Sequence, residues 1–284
     1  MVECRICGWK GNAEFITAKE MMYGTREEFD YFVCPECNCL QIHEIPEDLG
    51  RFYAADYYSY ANRDGRKTET EQKQFTKILD VGCGSGAWLC NLAAAGYVNL
   101  TGCDPFIEKD LHYDNGVNIY KKTIHEMDGL YDQIYMNDSF EHVTDPHEVM
   151  DSICRLLGEK GVARIAIPVY PNIAYEMFGA DWYQLDAPRH IFLHSVKSMK
   201  YLAQKHKMKV VRVDFNSNAA QIIRSFLYAK GIPFIDQTKE VYTRYFNAQT
   251  LNEIEQNSEL ANQNQLGDHA VFYLVADNTQ EGEV

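Results

Sequence analysis

From residue 76 onward, strand-length apolar runs alternate with stretches whose apolar positions recur at helical spacing. Lys77-Ile78-Leu79-Asp80-Val81 is one such run and ends in a cluster of glycines. Trp88, Leu89, Leu92 and Ala93 then share one helical face, with Gly96 as a stop signal. Leu100–Cys103, Val117–Tyr120 and Tyr131–Met136 predict further strands. Asp145 as cap, Pro146 at the first position and Gly158 at the end bracket a helix that buries Val149, Met150, Ile153, Leu156 and Leu157. Gly161–Val169 predicts a strand, Ser195 opens a helix bearing Val196, Met199 and Leu202, and Lys209–Phe215 and His269–Ala276 predict the last strands. Residues 218–267, helical or irregular by pattern, look like an insertion before the final strand. Such alternation predicts an α/β fold built on a doubly wound, mostly parallel sheet.

The first 48 residues follow another pattern. Cys4-x-x-Cys7 precedes Gly8, and Cys34-x-x-Cys37 precedes Asn38. Each pair forms a tight turn that aims two thiolates at one point, and two such turns supply the four soft tetrahedral ligands that Zn²⁺ prefers. Phe15–Thr17 and Tyr31–Val33 are β-prone runs suited to a ribbon, while Cys39 and His43 stand close enough to be substitute ligands. With four protein ligands the zinc is structural. Between ribbon and sheet, residues 49–75 carry Phe52, Tyr53, Tyr57, Tyr58 and Tyr60 and then a polar run from Asn62 to Gln74, read as a linker or a lid over a ligand. The expected organisation is a zinc-ribbon-like segment at 1–48, a Tyr-rich lid or linker at 49–75, and a cofactor-binding domain at 76–284.

Charge narrows the partners. The chain holds 27 Lys and Arg against 41 Asp and Glu, a net charge of -14 with His neutral. That balance disfavours a phosphate backbone, so no nucleic-acid partner is expected. No apolar run is long enough to span a membrane, and the N-terminus resembles neither a signal nor a transit sequence. Nine cysteines at uneven spacing fit reduced thiols, and a cytoplasmic protein is expected.

The glycine loop must be read with its neighbouring acids. In Asp80-Val81-Gly82-Cys83-Gly84-Ser85-Gly86-Ala87, the residues Gly82, Gly84 and Ala87 satisfy the loose G-x-G-x-x-G/A pattern of nucleoside-binding turns. Asp104 follows where an acid would hold a ribose hydroxyl pair. Asp80, a carboxylate just before the glycines, opposes the pyrophosphate of a dinucleotide and suits a ligand bearing a sulfonium and an ammonium. An NAD-dependent oxidoreductase is therefore the weaker reading of this loop.

Ile78 to Gly86 resembles the first motif of the class I S-adenosylmethionine-dependent methyltransferases, over a likeness that runs from about residue 76 to 276. The resemblance implies a seven-stranded Rossmann-like sheet and S-adenosylmethionine held by Asp80, Gly82, Cys83, Gly84 and Gly86. It implies Asp104-Pro105 at the ribose and Thr123-Ile124 at the adenine. Asn137-Asp138-Ser139 with Phe140-Glu141-His142 resembles the segment after the fourth strand in ubiquinone-biosynthesis and sugar methyltransferases. Trp182 to His190 is similar to a segment of methyltransferases from polysaccharide and sugar gene clusters, and a zinc-binding head before a Tyr-rich stretch resembles the deoxysugar C-methyltransferases.

Methyl transfer is an in-line displacement, so positioning does much of the work. A hydroxyl or carbon acceptor must also lose a proton, for which His is the default base. His142 and His190 are the candidates, with Glu141 third; either His also reads as a structural residue. Arg189 pairs with an acidic substrate group or with Asp186, and His147 and His194 read as surface or capping residues. The expected function is methyl transfer to a small polar acceptor, a sugar or nucleotide-sugar. A quinone or other secondary metabolite is the alternative within the fold. A zinc-ribbon binding module on an inert cofactor-binding fold is the alternative outside enzymology.

Overall fold

The computed structural model describes residues 1–53 and 74–277. Tyr57, Tyr58, Tyr60 and the polar run from Asn62 to residue 73, all part of the expected lid or linker, lie outside the described residues. Fourteen strands and seven α-helices among the described residues are numbered in chain order. Two compact units emerge: Met1–Phe52, Ile167–Tyr201 and Val213–Val271 in one, Tyr53–Ala166, Leu202–Arg212 and Phe272–Val284 in the other.

The first unit opens with the antiparallel pair β1 (Val2–Glu3) and β2 (Lys10–Gly11). β3 (Phe15–Lys19), β4 (Glu28–Val33) and β5 (Leu40–Ile42) form an antiparallel meander, and β12 (Phe192–Leu193) pairs with β5. Tyr31, Leu40, Ile42, Trp182, Ile191 and Phe192 pack with Cys4, Cys34 and Cys37 in its buried core. The helices of this unit start at side-chain caps that satisfy otherwise unpaired N–H groups. Asn172 caps α3 (Ile173–Phe178), Asn218 caps α5 (Ala219–Ala229), Thr238 caps α6 (Lys239–Tyr245) and Asn247 caps α7 (Ala248–Gln263). Residues 218–267 are thus largely helical.

The expected doubly wound, mostly parallel sheet is present, with eight strands in the order β13-β14-β11-β10-β6-β7-β9-β8. These are β6 (Gln74–Val81), β7 (Tyr97–Cys103), β8 (Leu111–His112), β9 (Asn118–Tyr120), β10 (Tyr131–Asn137), β11 (Leu157–Pro168), β13 (Met208–Phe215) and β14 (His269–Ala276). The additional strand is the two-residue β8, which pairs antiparallel with β9 at the edge. Connections run one way from β6 through β7 to β9 and the other way from β10 to β11, so strand order reverses between β6 and β10. Ligands of doubly wound sheets bind at the carboxyl ends of strands flanking such a reversal. α1 (Ala87–Ala94) packs Leu89, Cys90 and Ala93 onto Ile78, Leu100 and Ile119. α2 (Pro146–Leu156) begins as expected, with Asp145 accepting from the backbone of His147 and Glu148.

That helix ends earlier than Gly158 suggests. Leu157 is already extended, at φ -79 and ψ 127, and opens β11. Leu156 and Leu157 are both buried, but the helix face takes only the first; the second is spent on the sheet, where a register irregularity between Tyr131 and Gln133 accommodates it. α4 (Val196–Lys205) completes the helices. No helix among the described residues is long and apolar enough to cross a membrane.

Candidate functional site

At the carboxyl end of β6 the chain turns sharply into α1. Gly82, Gly84 and Gly86 sit at φ 73, 53 and 78, a region where a side chain on an L-residue is strained. Space excludes a side chain as well: a Cβ on Gly82 would lie 2.6 Å from Ser139 Cβ, and one on Gly86 2.6 Å from Ile119 Cδ1. Gly82 N–H donates to Cys103 O (2.8 Å), and Ser139 Oγ donates to Val81 O (2.9 Å), which ties the turn to β7 and to the segment after β10. Gly86 stands at the N-cap of α1 without a side-chain cap.

Asp104, at the end of β7, has both carboxylate oxygens engaged by this turn and its own loop. Oδ2 accepts from Gly84 N–H and Oδ1 from Phe106 N–H, both at 2.9 Å. The fork is therefore fixed while each oxygen keeps a lone pair for a ligand. Burial pushes the Asp104 pKa up, against the two backbone donors that pull it down. Asp80 is buried more deeply. Burial drives its pKa up to about 8, the Asn137 amide opposes the rise, and the charge of Asp104 adds to it. Asn137 is oriented for this by Arg164, whose Nη1 donates to Asn137 Oδ1 (2.9 Å). Pro105 is exposed, Ile124 is buried, and Thr123 caps a short turn through a reciprocal pair with Glu126. Asp138 adopts a left-handed conformation, φ 47, and its N–H donates to Ala166 O (2.9 Å). The Cys83 thiol is held neutral by burial.

This unit thus joins a glycine-rich turn to two buried acids, a set of groups that fits a ligand with a cationic end and a ribose. The residues beyond β10 continue the site. Glu141 is fully buried and His142 half-buried. Tyr53 Oη lies 3.1 Å from His142 Nδ1, and the Tyr53 ring stacks on Phe106 at 6.0 Å between centroids and 9° between planes. Neither contact is visible in the chain: Tyr53 is one tyrosine of several in the linker, and Phe106 reads as an isolated apolar residue 68% exposed.

His190 belongs to the other unit. Its Nδ1 lies 2.7 Å from Gln184 O, so Nδ1 carries the proton and donates, while Nε2 faces Asp186 Oδ2 at 3.8 Å. Arg189 is fully buried and spends its donors inside the protein, on Asp186 (2.9 and 2.6 Å), Glu20 (3.1 Å) and Phe52 O (3.2 Å). Burial alone would lower the Arg189 pKa, and the two carboxylates raise it overall. Its pairing is internal, as one of the two sequence readings has it. Of the two readings of His194, surface or capping, the first is corrected: the residue is fully buried, with Nδ1 3.2 Å from Ser198 Oγ in the first turn of α4. His147 Nδ1 lies 2.8 Å from His206 Nε2.

In the first unit, the thiols of Cys4, Cys7, Cys34 and Cys37 lie within 4.8 Å of one another. Cys4 Sγ is 3.6 Å from Cys37 Sγ, and Cys7 Sγ is 3.6 Å from Cys34 Sγ. Thiolates on a tetrahedral zinc at about 2.3 Å are about 3.8 Å apart, so the four fit one ion. The two turns repeat each other. Gly8 (φ 74) donates to Cys4 O at 2.9 Å, and Asn38 (φ 59) donates to Cys34 O at 2.8 Å. Gln41 Nε2 donates to Cys4 Sγ (3.1 Å), and the Arg5 backbone N–H fixes that amide through Gln41 Oε1 (3.1 Å). Cys39 stands apart with its thiol on Leu40 O (3.7 Å), and the His43 ring packs on Phe15 at 4.8 Å.

A sequence model of the family described as methyltransferase domain matches residues 53–213, more than half of the 284 residues. The ubiquinone biosynthesis O-methyltransferase of Rickettsia bellii (strain OSU 85-389) is 36% identical over 99 residues, 32% of this chain and 41% of that protein. The enzyme of the same name from Erwinia tasmaniensis is 35% identical over 96 residues, 30% of this chain and 39% of that protein. The chain therefore spans about two fifths of the length of these curated relatives. Among solved structures, the cyclopropane synthase MmaA2 from Mycobacterium tuberculosis is 18% identical at a TM-score of 0.42, covering 72% of this chain and 79% of that one.

Proposed function

This chain belongs to the methyltransferase domain family, and from that premise we propose that it transfers a methyl group from S-adenosylmethionine to a hydroxyl of a small polar acceptor. The observation that carries the reading is the Asp104 carboxylate, held by Gly84 and Phe106 beside a turn where Gly82 and Gly86 have no space for a side chain. When bound, the cofactor supplies an activated methyl on a sulfonium. Asp104 accepts from the ribose hydroxyls, with Pro105 alongside. Gly82, Cys83, Gly84 and Gly86 let the nucleoside approach the backbone. Asp80 balances the cationic end, Thr123 and Ile124 border the adenine, and Asn137, Asp138 and Ser139 form the shelf after β10.

His142 is assigned as the base, with His190 and Glu141 the other candidates. In this assignment His142 Nδ1–H donates to Tyr53 Oη, 3.1 Å away, so that Nε2 is the basic nitrogen. Tyr53→Phe is expected to lower kcat about tenfold and to alter the acid limb of its pH profile, with KM for S-adenosylmethionine unchanged. A variant with wild-type kcat and profile would remove Tyr53 from the proton path.

Asp80 supports a second test. Its pKa of about 8 leaves it mainly protonated at pH 7 without ligand, and a bound cation favours the carboxylate. Binding of S-adenosylmethionine at pH 7 is expected to release a proton, read as a dependence of calorimetric heat on buffer ionisation enthalpy. Affinity should rise from pH 6 to 8 and level off above, and Asp80→Asn should abolish both effects. Because the folded protein holds this extra proton between ordinary carboxylate pH and about 8, unliganded stability falls as pH rises through that window. Heat independent of buffer in the wild type would contradict the assignment.

The acceptor proposed is a sugar or nucleotide-sugar, on the likeness of Trp182 to His190 to sugar-cluster methyltransferases. A second reading, methylation of a quinone-precursor phenol, draws support from the named activity of the relatives, over about a third of the chain. Transfer from labelled methyl donor to nucleotide-sugars supports the first. Transfer to catechol-type phenols alone replaces it with the second. Cofactor bound tightly with neither transfer nor hydrolysis would favour an inert binding module. Cys4, Cys7, Cys34 and Cys37 are proposed to hold one structural zinc.

A further inference from the structure

The first unit holds a cavity of about 410 Å³ among its helices. That volume lies in the range of roughly 300–1,000 Å³ typical of small-molecule pockets. Its wall is aliphatic: Ile173 and Met177 of α3, Ile222 of α5, Ile254 and Leu260 of α7, and Leu266 beyond it. No aromatic ring, lysine, arginine or histidine is among the described lining residues. Three of these side chains stay largely in water, Met177 at 60%, Leu260 at 55% and Leu266 at 48% exposure. Leaving such surface wet forgoes roughly 25 cal/mol per Å² that a bound apolar group would recover.

Most polar groups in the wall are committed to the protein, Asn257 on the exposed side of α7 apart. Asp268 is buried, and its Oδ2 accepts from Trp182 Nε1 (2.8 Å). Ser217 Oγ accepts from the backbone N–H of Asp268 (2.6 Å) and of His269 (3.0 Å). Asn264 Nδ2 donates to Leu260 O (2.8 Å). A carboxylate or phosphate headgroup would find no cation here, and would find the acid of Asp268. An uncharged chain meets neither penalty.

We propose that this cavity binds a neutral aliphatic chain at a site whose residues are separate from the cofactor set. The inference goes beyond the methyl-transfer reading and stands without it.

Nile red titrated into the full chain tests it. Saturable one-to-one binding is expected, displaced by micromolar 1-decanol and at least tenfold more weakly by decanoate. Ala261→Trp, which fills the cavity from α7, is expected to weaken dye binding at least tenfold while far-UV circular dichroism and S-adenosylhomocysteine binding stay as in wild type. Asn257→Trp serves the same purpose from the exposed side of α7 if the first variant does not fold. Absence of saturable binding to wild-type protein overturns the proposal. So does equal displacement by decanoate, or dye binding unchanged in a folded filling variant.

Discussion

Replacing Asp104 by Ala is expected to weaken S-adenosylhomocysteine binding on the order of 100-fold or more. A hydrogen bond to a charged group is worth about 1.5–3 kcal/mol, and the side chain is proposed to accept two from the ribose. It also accepts from Gly84 and Phe106, so its loss releases the turn that shapes the nucleoside site as well as the contact itself. Calorimetric titration of the folded variant reads the effect. Asp104→Asn, which keeps the shape but turns one acceptor into a donor, should fall between the two. Wild-type affinity in a folded Asp104→Ala protein would refute the cofactor site, and with it the proposed use of the glycine turn.

The second large effect is expected at the four thiols. Cys34→Ser should drop the zinc content from one ion per chain to near zero and sharply lower the thermal stability of the protein. Structural zinc contributes on the order of 10–16 kcal/mol of apparent binding energy in small zinc-finger peptides, so much of the order in β1 to β5 is expected to depend on the proposed ion. Cys39→Ser is the matched control. Its thiol is buried and bonded to Leu40 O, outside the cluster, so zinc content should be unchanged. Elemental analysis of both proteins decides. Full zinc in Cys34→Ser would mean that the ligand set is wrong, and zinc lost from Cys39→Ser would bring that residue into it.

Much of the cofactor unit is legible along the chain because its parts are local. The β6 strand, the glycine turn and α1 follow one another between Gln74 and Ala94, and each has a periodicity or a backbone requirement that residue type alone reveals. Asp145 and Pro146 mark the start of α2 for the same reason: a cap acts within three residues. The end of that helix is less legible. Leu156 and Leu157 are equally apolar, and only the competition between the helix face and the sheet assigns the second to β11.

By itself, then, the sequence determined the strand–helix alternation, the glycine turn with its acids and the paired Cys-x-x-Cys turns, all properties of short stretches. Tertiary structure alone decided what depends on distant groups. Arg189 pairs with Glu20 across 169 positions of chain. The Tyr53 hydroxyl meets His142 Nδ1 across 89 positions. Asp80 has its pKa pushed up to about 8 because the folded chain removes it from water. The aliphatic cavity exists because α3, α5 and α7 leave a gap between faces that each look ordinary in sequence. Burial and long-range pairing are sums over neighbours that no local pattern records, and they set both the protonation of the acids and the space open to a ligand.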